Sequence, residues 1–301
     1  MMELSELTER LACTLGFLPD KPEETAQSTA RALWFAAAGM PRSAQLANEG
    51  DLPALDGPAS ARLAQLVERR IQGEPLAHLT GRQHFMGLEL IAGSDALVPR
   101  RETEILAGEA VRLAREAVGR SGIARVVDVC TGSGNVALAI ASQVPEARVW
   151  GADLSAEAAM LAGRNAERLN LDDRVRFMTG DLLAPFDEPG FLGQVDVLTC
   201  NPPYINSAKV GTLPREISAF EPRLAFDGGT LGISILMRLL SQAPRFLRAR
   251  GWLAFEVGLG QGPALIRRLG GLKGYSQIGA VNDANGAVRV VCVQRADEGP
   301  T

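Results

Sequence analysis

From Gly122 onward the sequence alternates short β-branched runs with helical stretches, and few folds accommodate that order. The runs are ARVVDV (124–129), ARVWGAD (147–153), RVRFMTGD (174–181), QVDVLTC (194–200) and GWLAFEV (251–257). Between them the pattern predicts helices from Asn135, from Ser155 to Asn170 and around Leu231 to Leu247. Parallel strands need long crossovers, so the alternation predicts an α/β fold, a doubly wound sheet with helices on both faces. The tail YSQIGAVNDANGAVRVVCVQ (275–294) instead reads as two strands joined through Asn285-Gly286, an antiparallel pair at one sheet edge.

Upstream the pattern is different. Residues 4–18, 23–39 and 59–72 show helix-compatible apolar spacing separated by Pro, Gly and Asp clusters. A mixed stretch of turn residues and short apolar pieces then reads as a hairpin-like connector ending near Arg101, followed by a helix from about Glu102 to Val118. Three regions follow: a small helical domain over 1–75, the connector over 76–101 and the α/β domain over 102–301. At 301 residues the chain has the length for two domains.

Composition narrows the function classes. The net charge of −4 lies wholly in residues 1–75, which carry seven Lys/Arg against eleven Asp/Glu, whereas the remainder is balanced. Duplex binders draw much of their affinity from basic patches that neutralise phosphates, so an acidic pI of 5.4 argues against direct nucleic-acid binding. Cys13, Cys130, Cys200 and Cys292 show no C-x-x-C spacing, which points to a reducing cytoplasm without structural zinc. His78 and His84 are the only histidines, too few for a His-rich metal centre. The longest apolar run, Ala32 to Met40, is far short of the ~18 residues of a membrane span. The oligomeric state is not readable.

Function-bearing residues gather at strand ends. DVCTGSGN places Asp128, Cys130, Thr131, Gly132, Ser133 and Gly134 between the first strand and its helix. Glycines there let backbone N–H groups approach a ligand at a helix start. Asp153, with Leu154 beside it, falls at the next strand end, where a carboxylate can take ribose hydroxyls. Up to this point a nicotinamide-dinucleotide enzyme and an S-adenosylmethionine enzyme look alike, and glycines that merely permit tight packing would too. Asp181 and Leu182 after the third strand could flank an adenine, and the fourth strand stops on Asn201-Pro202-Pro203-Tyr204. Consecutive prolines remove two backbone donors and cannot continue a sheet. Strand ends often carry Pro and Asn as punctuation, but the tetrapeptide at this place favours a methyl donor.

These residues resemble the class I S-adenosylmethionine-dependent methyltransferases with an (Asn/Asp)-Pro-Pro-aromatic motif, and within them the HemK/PrmC-type release-factor glutamine N(5)-methyltransferases. The match covers roughly residues 72–294 through GEPLAHLTG, FMGLEL, VPRRETE, DVCTGSGNVALAIA, GADLS, NPPYI, FEPRLAFDGG and FEVGLGQG, in that order. The resemblance implies that residues 130–134 hold the methionine portion of the donor, Asp153 binds ribose, and Asp181-Leu182 borders adenine. It further implies that Asn201 to Tyr204 hold an acceptor glutamine in the Gly-Gly-Gln loop of class-I peptide chain release factors. Residues 1–75 are expected to recognise the acceptor macromolecule, because the nucleotide signatures all lie after Gly122. Four departures stand out: Cys130 where the family usually has Gly, Arg101 where it has Pro, His78 where an aromatic is common, and Thr230-Leu231-Gly232-Ile233 after the double glycine. Cys130 is small and is expected to cost the fold little. The altered segment after Gly229 is expected near the acceptor mouth. Glu221 is a candidate carboxylate for the proton released after transfer, but a surface charge in a loop is the preferred expectation for it.

Other acceptors fit the same motif. An exocyclic adenine amine presents the same planar NH2, a divergent relative could methylate another protein or a small molecule, and a chain that kept only the donor pocket would be a binding module.

Overall fold

The computed structural model describes residues 3–230 and 232–297 and divides into two compact units. The first comprises residues up to Arg101 together with Leu213–Pro222; the second comprises Glu102–Thr212 and the chain from Arg223.

In the first unit, helices α1 (Leu4–Thr14), α2 (Ala26–Ala37), α3 (Ala44–Ala47), α4 (Gly57–Ile71) and α5 (Leu76–Thr80) precede a hairpin of β1 (Arg82–Phe85) and β2 (Leu88–Ile91). Its core is built from Leu7, Leu11, Leu33, Phe35, Leu63, Val67 and Leu76. α4 shows how the local sequence sets an element. Asp56 caps it by accepting from the Ala59 N–H at 2.7 Å, Pro58 sits in its first turn, and Arg69 and Arg70 face the negative end of its dipole. Leu63 and Val67, four residues apart, bury one face. Arg70, three residues further along the same face, is carried into the interior.

Residues 213–222 belong to this unit although they follow the Asn-Pro-Pro-Tyr motif by some ten residues. Their one-turn helix, α9 in chain order (Arg215–Ser218), inserts Glu216 between Lys21 Nζ at 2.5 Å and Arg70 Nη1 at 2.8 Å. Glu24 completes the buried cluster, 3.2 Å from Arg70 and 3.8 Å from Lys21. Glu221 departs from the expectation of a surface loop charge. It is buried, with Arg100 Nη2 at 2.5 Å and the Val98 N–H at 2.9 Å, because a carboxylate facing an interior guanidinium is stable only when both leave water together.

The second unit begins with α6 (Thr103–Ser121) and continues as β3 (Ala124–Val129), α7 (Asn135–Gln143), β4 (Ala147–Asp153), α8 (Ala156–Arg168), β5 (Val175–Thr179) and β6 (Val195–Cys200). After the excursion come α10 (Ser234–Phe246), β7 (Leu247–Glu256), α11 (Gly262–Leu269), β8 (Tyr275–Asn282) and β9 (Val288–Arg295). The sheet runs β5-β4-β3-β6-β7-β9-β8. Strands β3 to β7 are parallel, and β9 and β8 form the antiparallel edge pair read from the Asn285-Gly286 turn. α10 starts at Ser234 rather than near Leu231, a residue outside the described ones. From β3 the chain first winds outward to β4 and β5, then returns to pair β6 on β3's other side. Strand order therefore reverses there, and in open parallel sheets ligands bind in the crevice that such a reversal opens at the strand C-termini. The register pairs Asp128 with Thr199 and Val129 with Cys200, so the glycine loop after β3 and the Pro-Pro loop after β6 start side by side.

Candidate active site

The glycine loop is held from beneath by a buried carboxylate. Asp128 accepts from Thr131 Oγ1 at 2.6 Å and Thr199 Oγ1 at 2.7 Å. Burial pushes its carboxyl up to about 6, and the two hydroxyls hold it back from rising further. Gly132 and Gly134 have φ of +55° and +83°, and Gly134 caps α7 from the left-handed region. A Cβ on Gly134 would lie 2.8 Å from Phe177 Cζ, so this position is closed to side chains by packing as well as by φ. At Gly132 nothing lies within 4 Å of that position, so the loop is open at Gly132.

Asp153 bridges this loop to the next. One carboxylate oxygen accepts from the Gly132 N–H at 2.8 Å and the other from the Ser155 N–H at 3.0 Å, which orients the group while leaving lone pairs for further donors. Leu154 beside it is 56 % exposed, a large apolar surface next to a nucleotide-type carboxylate. Asp181 is exposed and paired with Arg238 of α10 at 2.6 Å. Leu182 has φ +50° and a side chain only 5 % exposed within the sheet core, so what it can present to a ligand is backbone.

The Pro-Pro loop is fixed from several directions. Asn201 Nδ2 donates to Thr103 Oγ1 at 3.1 Å, and among the described residues no hydrogen bond engages Asn201 Oδ1. Pro202 and Pro203 are buried. The Tyr204 carbonyl accepts from Gln261 Nε2 at 3.1 Å, and Gln261 Oε1 in turn takes the Gly258 N–H at 2.9 Å. Three glycines touch this loop. Cβ atoms on Gly228 and Gly232 would fall 2.4 and 2.2 Å from the Pro203 and Tyr204 carbonyl oxygens, and one on Gly258 would lie 3.1 Å from the Tyr204 ring. Gly232, from the altered stretch after Gly229, thus sits directly against the motif.

Beneath the Tyr204 ring lies a polar cluster that no sequence motif announced. The Tyr204 hydroxyl lies 3.0 Å from Glu256 Oε1 and 3.3 Å from Glu102 Oε1. Arg289 Nη2 is 2.6 Å from Glu102 and 3.8 Å from Glu256. Burial drives the Glu256 carboxyl up to about 7; the Thr103 hydroxyl opposes that, Glu102's charge adds to it, and Arg289 and the Tyr204 hydroxyl moderate it. Burial and the two carboxylates push the Tyr204 phenol far upward, so it stays protonated. Glu102 immediately precedes α6, Thr103 opens it, Glu256 closes β7 and Arg289 lies on β9; the available signal was that Glu102, Thr103 and Glu256 fall inside VPRRETE and FEVGLGQG.

The fold therefore brings the loops of Asp128–Gly134, Asp153-Leu154, Asp181-Leu182 and Asn201–Tyr204 to one end of the sheet. One expectation needs correction. Cys130 has φ +56°, a region where a Cβ crowds the backbone, so a cysteine where the family usually has glycine costs ~1 kcal/mol of backbone strain rather than little.

The strand order β5-β4-β3-β6-β7-β9-β8 with its antiparallel edge pair, the glycine loop leading into a helix, the acidic residue at the adjacent strand end and Asn201-Pro202-Pro203-Tyr204 at the strand reversal together define a class I methyltransferase. Residues 126–219 match the profile of a methyltransferase domain, and residues 10–81 match that of the PrmC N-terminal domain. The chain is 36% identical over 289 residues to the release factor glutamine methyltransferase of Geobacter sulfurreducens, covering 96% of both chains. It is 39% identical over 231 residues to that of Gloeobacter violaceus, covering 76% of this chain and 78% of that one. The chain belongs to the release factor glutamine methyltransferase family. Among solved structures, the N-terminal domain of human METTL16 in complex with SAH superposes with a TM-score of 0.51 at 15% identity, covering 82% of this chain and 85% of that one, a likeness of fold alone.

Proposed function

We propose that this protein transfers a methyl group from S-adenosylmethionine to the side-chain amide nitrogen of a glutamine in the Gly-Gly-Gln loop of a class-I peptide chain release factor. The observation that carries the reading is Asn201. Its amide is turned so that Nδ2 is spent on Thr103 while Oδ1 is left over as an acceptor, on a family background of glutamine methylation.

The residues at the strand ends suit the donor. Gly132 offers open approach, Asp153 keeps lone pairs for two ribose hydroxyls, Leu154 offers an apolar face to a base, and Asp181 with the Leu182 backbone stands at the far side. Asp128, Thr131 and Ser133 hold the loop in shape, and Cys130 to Gly134 face the methionine portion. When bound, S-adenosylmethionine supplies a methyl group on a positively charged sulfur.

The acceptor needs help of another kind. A glutamine NH2 is a poor nucleophile because its lone pair is delocalised into the carbonyl. Asn201 Oδ1 and the carbonyl of Pro202, which no hydrogen bond among the described residues occupies, give the two N–H bonds of that group a partner each. With both satisfied the nitrogen is oriented, and such orientation contributes up to ~7 to 11 kcal/mol in favourable cases. The prolines stop the acceptors from relaxing, and Tyr204 walls the planar amide. No strong base is needed before transfer: once the nitrogen carries the extra carbon its proton is acidic enough to leave to water.

Residues 1–75 supply recognition of the release factor, and the reaction runs in the cytoplasm. Among the described residues no helix is long and apolar enough to cross a membrane. The test is incubation with labelled S-adenosylmethionine and, separately, unmethylated class-I release factors, ribosomal proteins and DNA, followed by mapping of the label. Labelling of the Gly-Gly-Gln glutamine is the expected result; label confined to DNA or to another protein overturns the assignment.

A further inference from the structure

Asn201 can serve as an acceptor only if its amide does not flip, and the oxygen and nitrogen of an amide are nearly equal in shape. Something must tell the two ends apart. Thr103 Oγ1, 3.1 Å from Nδ2 and buried in the first turn of α6, is that discriminator only while its own proton points elsewhere; a hydroxyl turned toward Asn201 would attract Oδ1 instead. The group placed to draw the Thr103 proton away is the Glu256 carboxylate. It is 1 % exposed, its Oε1 is shared with the Tyr204 hydroxyl at 3.0 Å, and the Thr103 hydroxyl steadies its charged form. Glu256 Oε2 is buried without a hydrogen-bond partner among the described residues, which leaves it as an open acceptor for the Thr103 hydroxyl.

We propose that Thr103 and Glu256 are positioning residues for methyl transfer, with Glu256 orienting the Thr103 hydroxyl, and Thr103 thereby holding the Asn201 amide with its oxygen toward the acceptor. The inference rests on the glutamine-methylation reading above and adds a dependence on the charge state of Glu256. The groups facing Glu256 are Glu102 just before α6, Thr103 at its start, Tyr204 from the Pro-Pro loop and Arg289 from β9. Arg289 lies nearer Glu102 than Glu256, so it compensates Glu102 first. Ionised Glu256 accepts from both hydroxyls; protonated Glu256 must donate, and its proton competes for the Thr103 oxygen that Asn201 uses. Transfer therefore rises as pH increases through the Glu256 titration near pH 7.

The experiment uses the full chain, labelled S-adenosylmethionine and an unmethylated class-I release factor, with Thr103→Val, Thr103→Ser and Glu256→Gln variants. Single-turnover transfer, donor affinity by calorimetry and a kcat profile from pH 6 to 9 are measured on each. Thr103→Val keeps donor affinity within about twofold and loses ~10- to 100-fold in kcat, the scale of a misplaced reacting group. Thr103→Ser, which restores the hydroxyl, recovers most of the rate. Glu256→Gln removes the limb near pH 7 that the wild type shows. Absence of glutamine labelling by the wild type overturns the substrate assignment and this inference with it. Labelling by the wild type with Thr103→Ser as slow as Thr103→Val, or with the pH limb intact in Glu256→Gln, overturns this inference alone. Should Thr103→Val fail to fold, the pH profile of Glu256→Gln against the wild type decides the matter.

Discussion

Each unit buries a cluster of charges, and the two clusters are built to opposite rules. In the first unit Lys21 and Arg70 face Glu24 and Glu216, two positive against two negative groups. In the second, Glu102 and Glu256 share the single Arg289 and the Tyr204 hydroxyl. Pairing decides the outcome of burial. Burial pushes the Glu216 carboxyl upward, but Lys21 and Arg70 together outweigh it and hold the group below its ordinary value, whereas Glu256, with only a shared and distant cation, is driven up to about 7. Within the balanced cluster the two carboxylates part ways, since Glu24, 3.2 Å from Arg70 and 3.8 Å from Lys21, is raised by a burial that both cations oppose without cancelling, while Glu216 keeps its charge and serves cohesion. The unbalanced one holds a carboxyl near its titration point against the proposed acceptor loop, which is where a poised carboxylate is useful.

The largest expected effect breaks the balanced cluster. Glu216→Ala leaves Lys21 and Arg70 buried with Glu24 alone, and removing one partner of such a set costs about 3 to 5 kcal/mol. Chemical denaturation of the full chain reads this directly; a loss under about 1 kcal/mol means the cluster is not the clamp it looks like. Because the folded Glu216 pKa is lowered, its stabilisation is present above the unfolded value and fades as pH falls through the folded one.

Next in size is Asn201→Ala, which tests whether the second cluster supports chemistry rather than cohesion. Donor binding survives and methyl transfer falls by ~10² to 10³, as for loss of one preorganised polar group at a reacting centre. Asn201→Asp retains more activity because an acceptor remains. If Asn201 only ends a strand, stability and turnover fall together, a distinction that thermal unfolding and single-turnover transfer make on the same samples.

Glu256→Gln sharpens the contrast by reversing its sign. A carboxyl with a raised folded pKa contributes stability that is full below about 4.5 and lost as pH rises through about 7. The glutamine variant has no such loss, so it is more stable than wild type at pH 8 by about 1 to 2 kcal/mol, part of the roughly 3 kcal/mol that the whole shift represents. Urea unfolding at pH 5 and pH 8 checks it: equal pH dependence in variant and wild type removes Glu256 as the titrating group. The smallest effect is at the glycine loop. Cys130→Gly relieves the left-handed strain but frees the unfolded chain, for a net gain of about 0.5 kcal/mol, and a clear drop in melting temperature would show that the thiol contributes packing the strain conceals.

Much of the second unit was legible because its signals are local. Strand-helix alternation gives the sheet, the Asn285-Gly286 turn gives the edge pair, and glycines and strand-end acids mark the crevice. The charges that matter most were not legible, because their partners are distant in sequence. Lys21 and Glu216 are 195 residues apart, and Glu102 meets Tyr204 across 102. Nothing in FEPRL distinguishes a solvated Glu221 from one buried against Arg100; only the tertiary partner does. Cys130 misled for another reason: its volume is readable from sequence, but its backbone angle is not.

The crossing of residues 213–222 into the first unit has a consequence for synthesis on the ribosome. Lys21 and Arg70 emerge early, yet the carboxylate that seats between them is not made until the sheet strands β3 to β6 have been translated. From Arg101 to Pro222 is 121 residues, about 6 to 24 s of elongation at ordinary rates of 5 to 20 residues per second. During that interval the helical unit holds two interior cations with Glu24 as the only carboxylate of the cluster already made. The two units therefore cannot mature strictly one after the other: the nascent N-terminal part waits, incompletely neutralised, for a peptide delivered from within its neighbour.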